Sequence, residues 1–284
     1  MDAAKHNAAE LREVTDSEAR AIRDEAAKLA STYSIIFVGN RKPYGAGTLV
    51  SLGAVKGVLT AHHVLHELYK LSDEHISFCY RNTVPHRPTF ARALFPVITV
   101  GDSSRNPKQF TGPDLALMVL MDPQLITALE RLKTFYPLDC HDHYVYKQHD
   151  LRKLPCTLSG SPEEYSQSLG ICRGEPLTKF SDYHASVDFL NIKNRKGFDY
   201  IRLKAKCSST NFPRTYGGTS GGGIWLTVMQ HSKLPHIKET YGRPVLLGVA
   251  FYEAAAKSNE RVIIGHGPRS IFERTLEELA PWRH

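Results

Sequence analysis

The stretch YGGTSGGGIW, residues 216–225, places five glycines around a single serine, Ser220, immediately before an apolar strand. Glycines let the backbone take conformations that other residues avoid, and they let another chain approach the amide groups closely. An acyl-transfer site needs such a segment, because it requires an exposed hydroxyl and amide donors about 3 Å from the developing oxyanion. Taken alone, the stretch also fits a glycine-rich hairpin or bulge with an incidental serine.

A second segment, GVLTAHHVLHEL at 57–68, joins a β-branched strand to a helical turn through two adjacent histidines, His62 and His63. A histidine serves well as a general base because its unperturbed pKa lies near working pH. The segment therefore supplies a candidate general base just after a strand, although in isolation it would carry little weight.

The same segment permits a metal site, since His62 and His66 lie four residues apart on one helical face. The HExxH motif is absent, however, and Glu67 is not placed to act as its general base. A second small group of possible ligands, interpreted as a surface turn, comprises Cys140, His141 and His143. We therefore expect no metal, and a zinc hydrolase remains the minor alternative.

The third segment, GPDLALMVL at 112–120, places Asp114 directly before an apolar strand. An aspartate in that position is usually a turn or capping residue. A buried carboxylate bonded to one imidazole nitrogen would instead fix the histidine tautomer and stabilise the imidazolium formed during reaction. Asp102 in the GDSS turn is the alternative acid, and Asp114 is preferred because the following strand can hold it rigidly.

Short β-rich runs punctuated by glycine and proline fill most of the chain and predict a barrel or a sandwich. The predicted strands cover 33–39, 45–51, 56–61, 75–81, 95–101, 143–147, 185–193, 199–206, 222–229 and 244–253. Helical spacing predicts helices near 15–31 and 269–279. The segment 122–135 also looks helical, with a strand linker as the alternative.

Composition limits the other function classes. The chain has 284 residues, is 42% hydrophobic and carries a formal net charge of +7, so a folded core is expected. The basic run at 193–206 is interpreted as a solvated strand face, because no aromatic stacking series accompanies it and nucleic-acid binding is not expected. No window approaches the roughly 20 apolar residues of a membrane span. Five scattered cysteines and a polar N-terminus predict a cytoplasmic location.

Together the three segments resemble the trypsin and chymotrypsin superfamily of serine peptidases, and they occur in its chain order of histidine, aspartate and serine. TAHHV resembles the motif of the catalytic histidine and assigns His63, while PDLALMVL is similar to the aspartate motif and assigns Asp114. GGTSGG resembles the Gly-x-Ser-Gly-Gly signature, which implies Ser220 as nucleophile with the amides of Gly218 and Ser220 as oxyanion donors. GAGTLVS at 45–51 looks like the strand that commonly precedes the histidine strand.

The resemblance implies an all-β fold of two packed six-stranded antiparallel barrels with a C-terminal helix, and the helical spacing near 15–31 adds an N-terminal helix. We expect an N-terminal helical extension at 1–31, a first barrel at 32–135, and a second barrel with the terminal helix at 136–284. The histidine and aspartate would then come from the first barrel and the serine from the second.

Two departures favour a non-secreted, bacterial-type branch. Val64 follows the histidine where secreted members usually have a disulfide cysteine, and Thr219 stands in place of their usual aspartate. Thr219 cannot form the ion pair by which a newly cut N-terminus activates the secreted enzymes. The oxyanion loop is then ordered either by its own contacts, including a bond from the Thr219 hydroxyl to nearby backbone, or by a docking protein.

The predicted helix at 15–31 carries an apolar stripe of Ala19, Ile22, Ala26 and Leu29. The stripe has two alternative uses: docking of a regulatory protein partner, or packing against the chain's own barrel.

The expected function is that of a serine endopeptidase, which hydrolyses protein or peptide substrates through an acyl-enzyme and needs no cofactor. A catalytically silent binding module with the same fold is the alternative. In the resembled family, the residue six before the nucleophile often lies at the base of the primary specificity pocket, and here it is Arg214. Arg214 at that place would favour acidic substrate side chains, whereas a surface loop position would give no such preference.

Overall fold

The structure is a computed structural model that describes residues 16–39, 42–72, 74–80, 89–101, 113–139, 149–172, 175–207, 212–231, 240–254 and 259–282. Within these ranges the helices are α1 (Asp16–Ser31), α2 (His62–Leu71), α3 (Pro123–Glu130) and α4 (Thr275–Leu279), the last preceded by a π-helical segment at Arg269–Arg274.

The strands fall into two groups along the chain. The first group is β1 (Ser34–Gly39), β2 (Lys42–Leu52), β3 (Val55–Thr60), β4 (His75–Cys79), β5 (Thr89–Ala91), β6 (Val97–Val100), β7 (Leu115–Val119) and β8 (Tyr136–Pro137). The second group is β9 (Cys156–Gly160), β10 (Gln167–Cys172), β11 (Glu175–Lys179), β12 (Tyr183–Arg195), β13 (Phe198–Lys206), β14 (Gly223–His231), β15 (Thr240–Ala254) and β16 (Glu260–His266).

The first group forms one curled sheet in the order β5-β4-β1-β2-β3-β7-β6, with β8 added in parallel to β2. Strand β7 is buried along its whole length, because the sheet is covered on both faces. Met118 on one face packs with Phe37 and Leu65 of α2, whereas Leu117 on the other face packs with Trp225 and other residues of the second barrel. Burial of both faces explains why β7 is apolar throughout instead of alternating.

The second group closes into a barrel in the order β12-β13-β16-β15-β14-β9, while β10 and β11 form a separate two-stranded hairpin. The barrel interior is filled by aliphatic side chains that include Leu158, Ile201, Leu226 and Leu247. Closure satisfies the backbone groups that an open sheet would leave at its edges. The result is a rigid frame for the loops that connect its strands.

Helix α1 lies against the second barrel, mainly against β15. Ala26 and Ala30 are buried there, Ile22 is half-buried, and Leu29 is exposed. Just after the helix, the ring of Tyr33 stacks on Trp225 at 5.2 Å between centroids. The predicted apolar stripe is therefore used, at Ala26, for packing on the chain's own barrel; the side chain of Ala19 lies outside the described set.

The prediction of an all-β fold with two barrels and a helix at each end is confirmed. One detail differs, because the first barrel is a curled sheet, open between β5 and β6 in the part of the chain that the structure describes, instead of a closed barrel of six strands. The first sheet also reaches Pro137 through β8, two residues beyond the expected boundary at 135. The predicted strand at 143–147 lies outside the described residues.

No helix in the described ranges combines the length and the apolar character needed to cross a membrane.

Candidate active site

Two adjacent antiparallel strands bring His63 and Asp114 together. Thr60 at the end of β3 pairs with Ala116 near the start of β7, so the residues just beyond these two positions face each other. The Nδ1 atom of His63 lies 2.6 Å from Oδ2 of Asp114, and the backbone N–H of His63 donates to Oδ1 at 2.8 Å. The carboxylate therefore holds both the ring and the backbone of the histidine at the start of α2.

The charge state of Asp114 follows from its surroundings. The residue is only 8% exposed, and burial alone would raise the pKa of its carboxyl group. Hydrogen bonds from the side chain and backbone of His63 outweigh burial, and the net pKa is lowered. Because an ionised carboxylate only accepts, Nδ1 of His63 donates to Asp114, and in the neutral form of the ring Nε2 then holds the lone pair that a general base needs.

A second histidine, His266, reaches Asp114 from the other barrel and was not identified from the sequence. The Asp114 backbone N–H donates to Nε2 of His266 at 2.9 Å, and the His266 ring stacks on Phe251 at 4.6 Å between centroids. His266 has no exposed surface, and burial lowers its pKa to about 4. It is therefore a neutral ring that fixes the backbone of Asp114. The one available signal was a histidine at the end of the apolar run VIIGH.

The loop that carries Ser220 consists of two consecutive tight turns. The N–H of Thr219 donates to the Tyr216 carbonyl at 3.0 Å, and the N–H of Gly222 donates to the Thr219 carbonyl at 2.9 Å. Gly218 and Gly221, the third residues of these turns, have φ values of 89° and 86°. Type II turns require this conformation at their third position, which explains the two glycines. Ser220 is the second residue of the second turn and is half-buried.

The same glycines are packed too closely to carry a side chain. A Cβ atom on Gly218 would lie 2.2 Å from the Ser161 carbonyl oxygen, and one on Gly221 would lie 2.0 Å from that of Ala46. The loop is thus fitted between β9 of its own barrel and β2 of the first sheet. The glycine-rich sequence reflects this close approach.

A backbone hydrogen bond fixes Ser220 relative to the first sheet. The Ala46 N–H donates to the Ser220 carbonyl at 2.7 Å, and the Thr60 hydroxyl donates to the Ala46 carbonyl at 2.8 Å. Gly45 lies between the Ser220 carbonyl and the side chain of Val64, the residue after His63. The serine loop and the start of α2 therefore meet across a single residue of β2.

The amide groups expected to bind an oxyanion have no partner in the described ranges. The N–H groups of Thr219, Gly221 and Gly222 are all bonded to carbonyl oxygens. Among the hydrogen bonds of the described residues, those of Gly218 and Ser220 donate to no acceptor. These two N–H groups lie on either side of Thr219 in the chain. Because neither has an acceptor, both are suited to binding a developing negative charge.

Contacts within the chain order this loop. The Thr219 hydroxyl donates to the Tyr216 carbonyl at 2.7 Å. This is the bond to nearby backbone expected if the loop is ordered by its own contacts. Tyr216 is itself anchored, since its N–H donates to Oε2 of Glu253 at 2.9 Å and its hydroxyl donates to the Lys206 carbonyl at 2.7 Å.

Arg214 lies at the surface. Its side chain is exposed, its N–H donates to Glu164, and its carbonyl accepts from Arg261 at 3.2 Å. Arg214 is not among the residues that line the cavity beside Ser220. Its position matches the surface alternative that the sequence left open.

Two of the other candidate metal ligands, His62 and His66, lie side by side on α2. The rings of His62 and His66 stack at 6.2 Å between centroids, and burial lowers the pKa of His62. Among the described residues, no three His, Cys, Asp or Glu side chains gather in a way that would hold a metal ion. The remaining candidates, which lie outside the described residues, are Asp102, Cys140, His141 and His143.

Comparison of the sequence with family models and with curated proteins found no match. Among solved structures, the Drosophila Grass clip serine protease of the Toll pathway is 12% identical, with a TM-score of 0.50 over 89% of this chain and 71% of that chain. The serine protease domain of the Sesbania mosaic virus polyprotein is 12% identical, with a TM-score of 0.40 over 89% and 92% of the two chains. The likeness to the Drosophila protein shows the fold alone, which is a chymotrypsin-like double barrel.

Proposed function

We propose that the protein is a serine endopeptidase that cleaves protein or peptide substrates through an acyl-enzyme. The observation that carries the proposal is the paired geometry around Asp114 and Ser220. Asp114 holds Nδ1 of His63, and Ser220 stands on a tight turn where its own N–H and that of Gly218 have no acceptor in the described residues.

The reaction would proceed by general-base catalysis. Nε2 of His63 removes the proton of the Ser220 hydroxyl while Oγ attacks the carbonyl carbon of the scissile bond. The oxyanion binds the N–H groups of Gly218 and Ser220, the C–N bond breaks, and the amine leaves with the proton from His63. Water then repeats the sequence on the acyl-enzyme and releases the acid. Asp114 stays ionised throughout and stabilises the imidazolium.

We place this activity in the cytoplasm. Cys79, Cys156 and Cys207 are buried thiols, and burial raises the pKa of Cys156 to about 12, which keeps it protonated and unreactive. Buried thiols suit a reducing compartment, where disulfides are rare. The self-ordered Thr219 loop supports activity without a proteolytic activation step.

The proposal is tested by hydrolysis of an unfolded protein substrate by the purified chain. Replacing Ser220 with alanine, or His63 with alanine, should each lower kcat by about 10⁶-fold, because members of such a unit lose activity together. Ser168→Ala, an exposed serine on the β10–β11 hairpin, is the matched control and should leave kcat unchanged. Undiminished hydrolysis by Ser220→Ala would overturn the proposal.

A further inference from the structure

The cavity that adjoins Ser220 is almost filled by protein. Its volume is about 10 Å³, which is the space of roughly one water molecule. It is lined by Tyr216, Thr219, Ser220, Ala250, Phe251, Tyr252, Glu253 and Ile263. These residues come from the serine loop and from the neighbouring strands β15 and β16.

Large side chains close the cavity, and hydrogen bonds and an ion pair hold two of them, Tyr216 and Glu253, in position. Tyr216 is buried and makes the two hydrogen bonds to Glu253 and Lys206 described above. Glu253 uses its other oxygen, Oε1, in an ion pair with Nε of Arg261 at 2.9 Å. Both carboxylate oxygens of Glu253 are therefore occupied, and rotation of any one group would break bonds at its neighbours.

The charges around the cavity also limit what enters it. Burial raises the pKa of Glu253, although the Tyr216 N–H and Arg261 act against that shift. Arg261 is neutralised by Glu253, and the exposed side chain of Arg214 is not part of the lining. No uncompensated charge among the described lining residues is available to pair with an acidic or basic substrate group.

We propose that the residue whose carbonyl Ser220 attacks is glycine or alanine. The inference rests on the proposed function. The cavity is lined by Ser220 itself and by Thr219, which lies between the two amides without an acceptor, so we assign it to the side chain of the residue whose carbonyl is attacked. A hydrogen or a methyl group fits there, whereas a longer side chain collides with Tyr252 and Ile263. The preference for acidic residues predicted from Arg214 is thereby replaced.

The test uses peptidyl diphenyl phosphonates that differ only in the residue at the reactive phosphorus. We expect the alanine reagent to inactivate the protein at least about 10²-fold faster than the phenylalanine, glutamate or lysine reagents, because exclusion by size is stronger than loss of one methylene. A glutamate or phenylalanine reagent that reacts as fast as the alanine reagent would overturn the inference.

A variant that opens the cavity provides the second arm. Tyr252→Gly should raise the ratio of the phenylalanine rate to the alanine rate by more than about tenfold. Ser168→Ala, an exposed position on the β10–β11 hairpin outside the cavity lining, is the control, and its ratio of the two rates should equal that of the native chain. If Tyr252→Gly does not fold, Ile263→Ala opens the same cavity from β16. An opened cavity that still rejects the phenylalanine reagent would contradict the assignment.

A small alkyl fluorophosphonate, which has no side chain to accommodate, separates this inference from the proposed function. If it labels Ser220 while the phosphonates show no preference for small residues, the specificity inference fails and the proposed function stands. If it labels nothing in the folded protein, the proposed function fails and the specificity inference fails with it.

Discussion

Asp114 makes hydrogen bonds to residues of both barrels. Its side chain holds His63 of the first sheet, and its backbone is held by His266 of the second barrel. Asp114 therefore links His63 to both barrels through a single residue. The protonation of His266 matters for this reason, because only its neutral form has an Nε2 lone pair that accepts the Asp114 N–H.

We expect the free energy of unfolding to fall on mild acidification because of His266. Its pKa is lowered by burial from 6.5 to about 4 in the folded protein, so the unfolded chain takes up a proton first. This contribution is complete above pH 6.5 and is lost as the pH falls towards 4, by about 3 kcal/mol in total. Asp114, whose pKa is also lowered, acts in the same direction at lower pH.

Urea unfolding at about pH 7, 5.5 and 4 measures this loss of stability, because these values span the interval over which His266 is protonated first in the unfolded chain. His266→Gln keeps an acceptor for the Asp114 N–H but does not titrate, so its stability should depend less on pH over this interval. An identical pH dependence in the variant and the native chain would show that His266 does not contribute in this way.

Gly218→Ala should destabilise the protein by about 2 kcal/mol or more, because it combines a positive φ with a collision at the Ser161 carbonyl. Gly217→Ala is the matched control: an added Cβ there meets its nearest atom at 3.7 Å, and a change within about 0.5 kcal/mol is expected. Thermal unfolding of both variants decides the matter. Equal effects at the two glycines would contradict the turn geometry described for the serine loop.

At the scale of elements, α1 belongs to the fold and is more than an extension. Ala30 has no exposed surface, whereas the adjacent Leu29 is 42% exposed. The helix covers part of β15, the same strand that supplies Ala250 and Tyr252 to the cavity beside Ser220. The packed face of α1 is therefore unavailable to a partner unless the helix detaches, and a regulatory partner would have to use its outer face.

Ala30→Glu should destabilise the protein by about 3 kcal/mol or more, because it buries a charge without a partner. Leu29→Glu places the same residue on the exposed face of the same helix and should change stability by about 0.5 kcal/mol at most. Urea unfolding of the two variants measures the difference. Two similar values would mean that α1 does not pack on the barrel in solution.

Local sequence patterns predicted most of these elements. The β-branched runs and the motifs around His63, Asp114 and Ser220 are contiguous in sequence, so residue types alone reveal them. The helix predicted at 122–135 exists but ends at Glu130, and the terminal helix begins with a π-helical segment. These differences lie at element ends, where tertiary contacts override local propensity.

At the scale of the whole molecule, His266 and Tyr252 were not identified from the sequence for the same reason. His266 and Tyr252 reach the site through the pairing of β13, β15 and β16, which joins positions far apart in sequence. The irregularity in pairing between Ala250 and Tyr252 also changes which side chains face the serine. Such long-range register is not encoded in any single motif, and neither the closed cavity nor the role of His266 was predicted.

The whole-molecule account requires that groups from both barrels converge on one reacting centre. The most direct measurement is a crystal structure of the protein after reaction with a small fluorophosphonate. We predict phosphorus bonded to Oγ of Ser220, a phosphoryl oxygen about 3 Å from the N–H groups of Gly218 and Ser220, and His63 still bonded to Asp114. An adduct on another residue, or a phosphoryl oxygen directed away from both amides, would contradict the account.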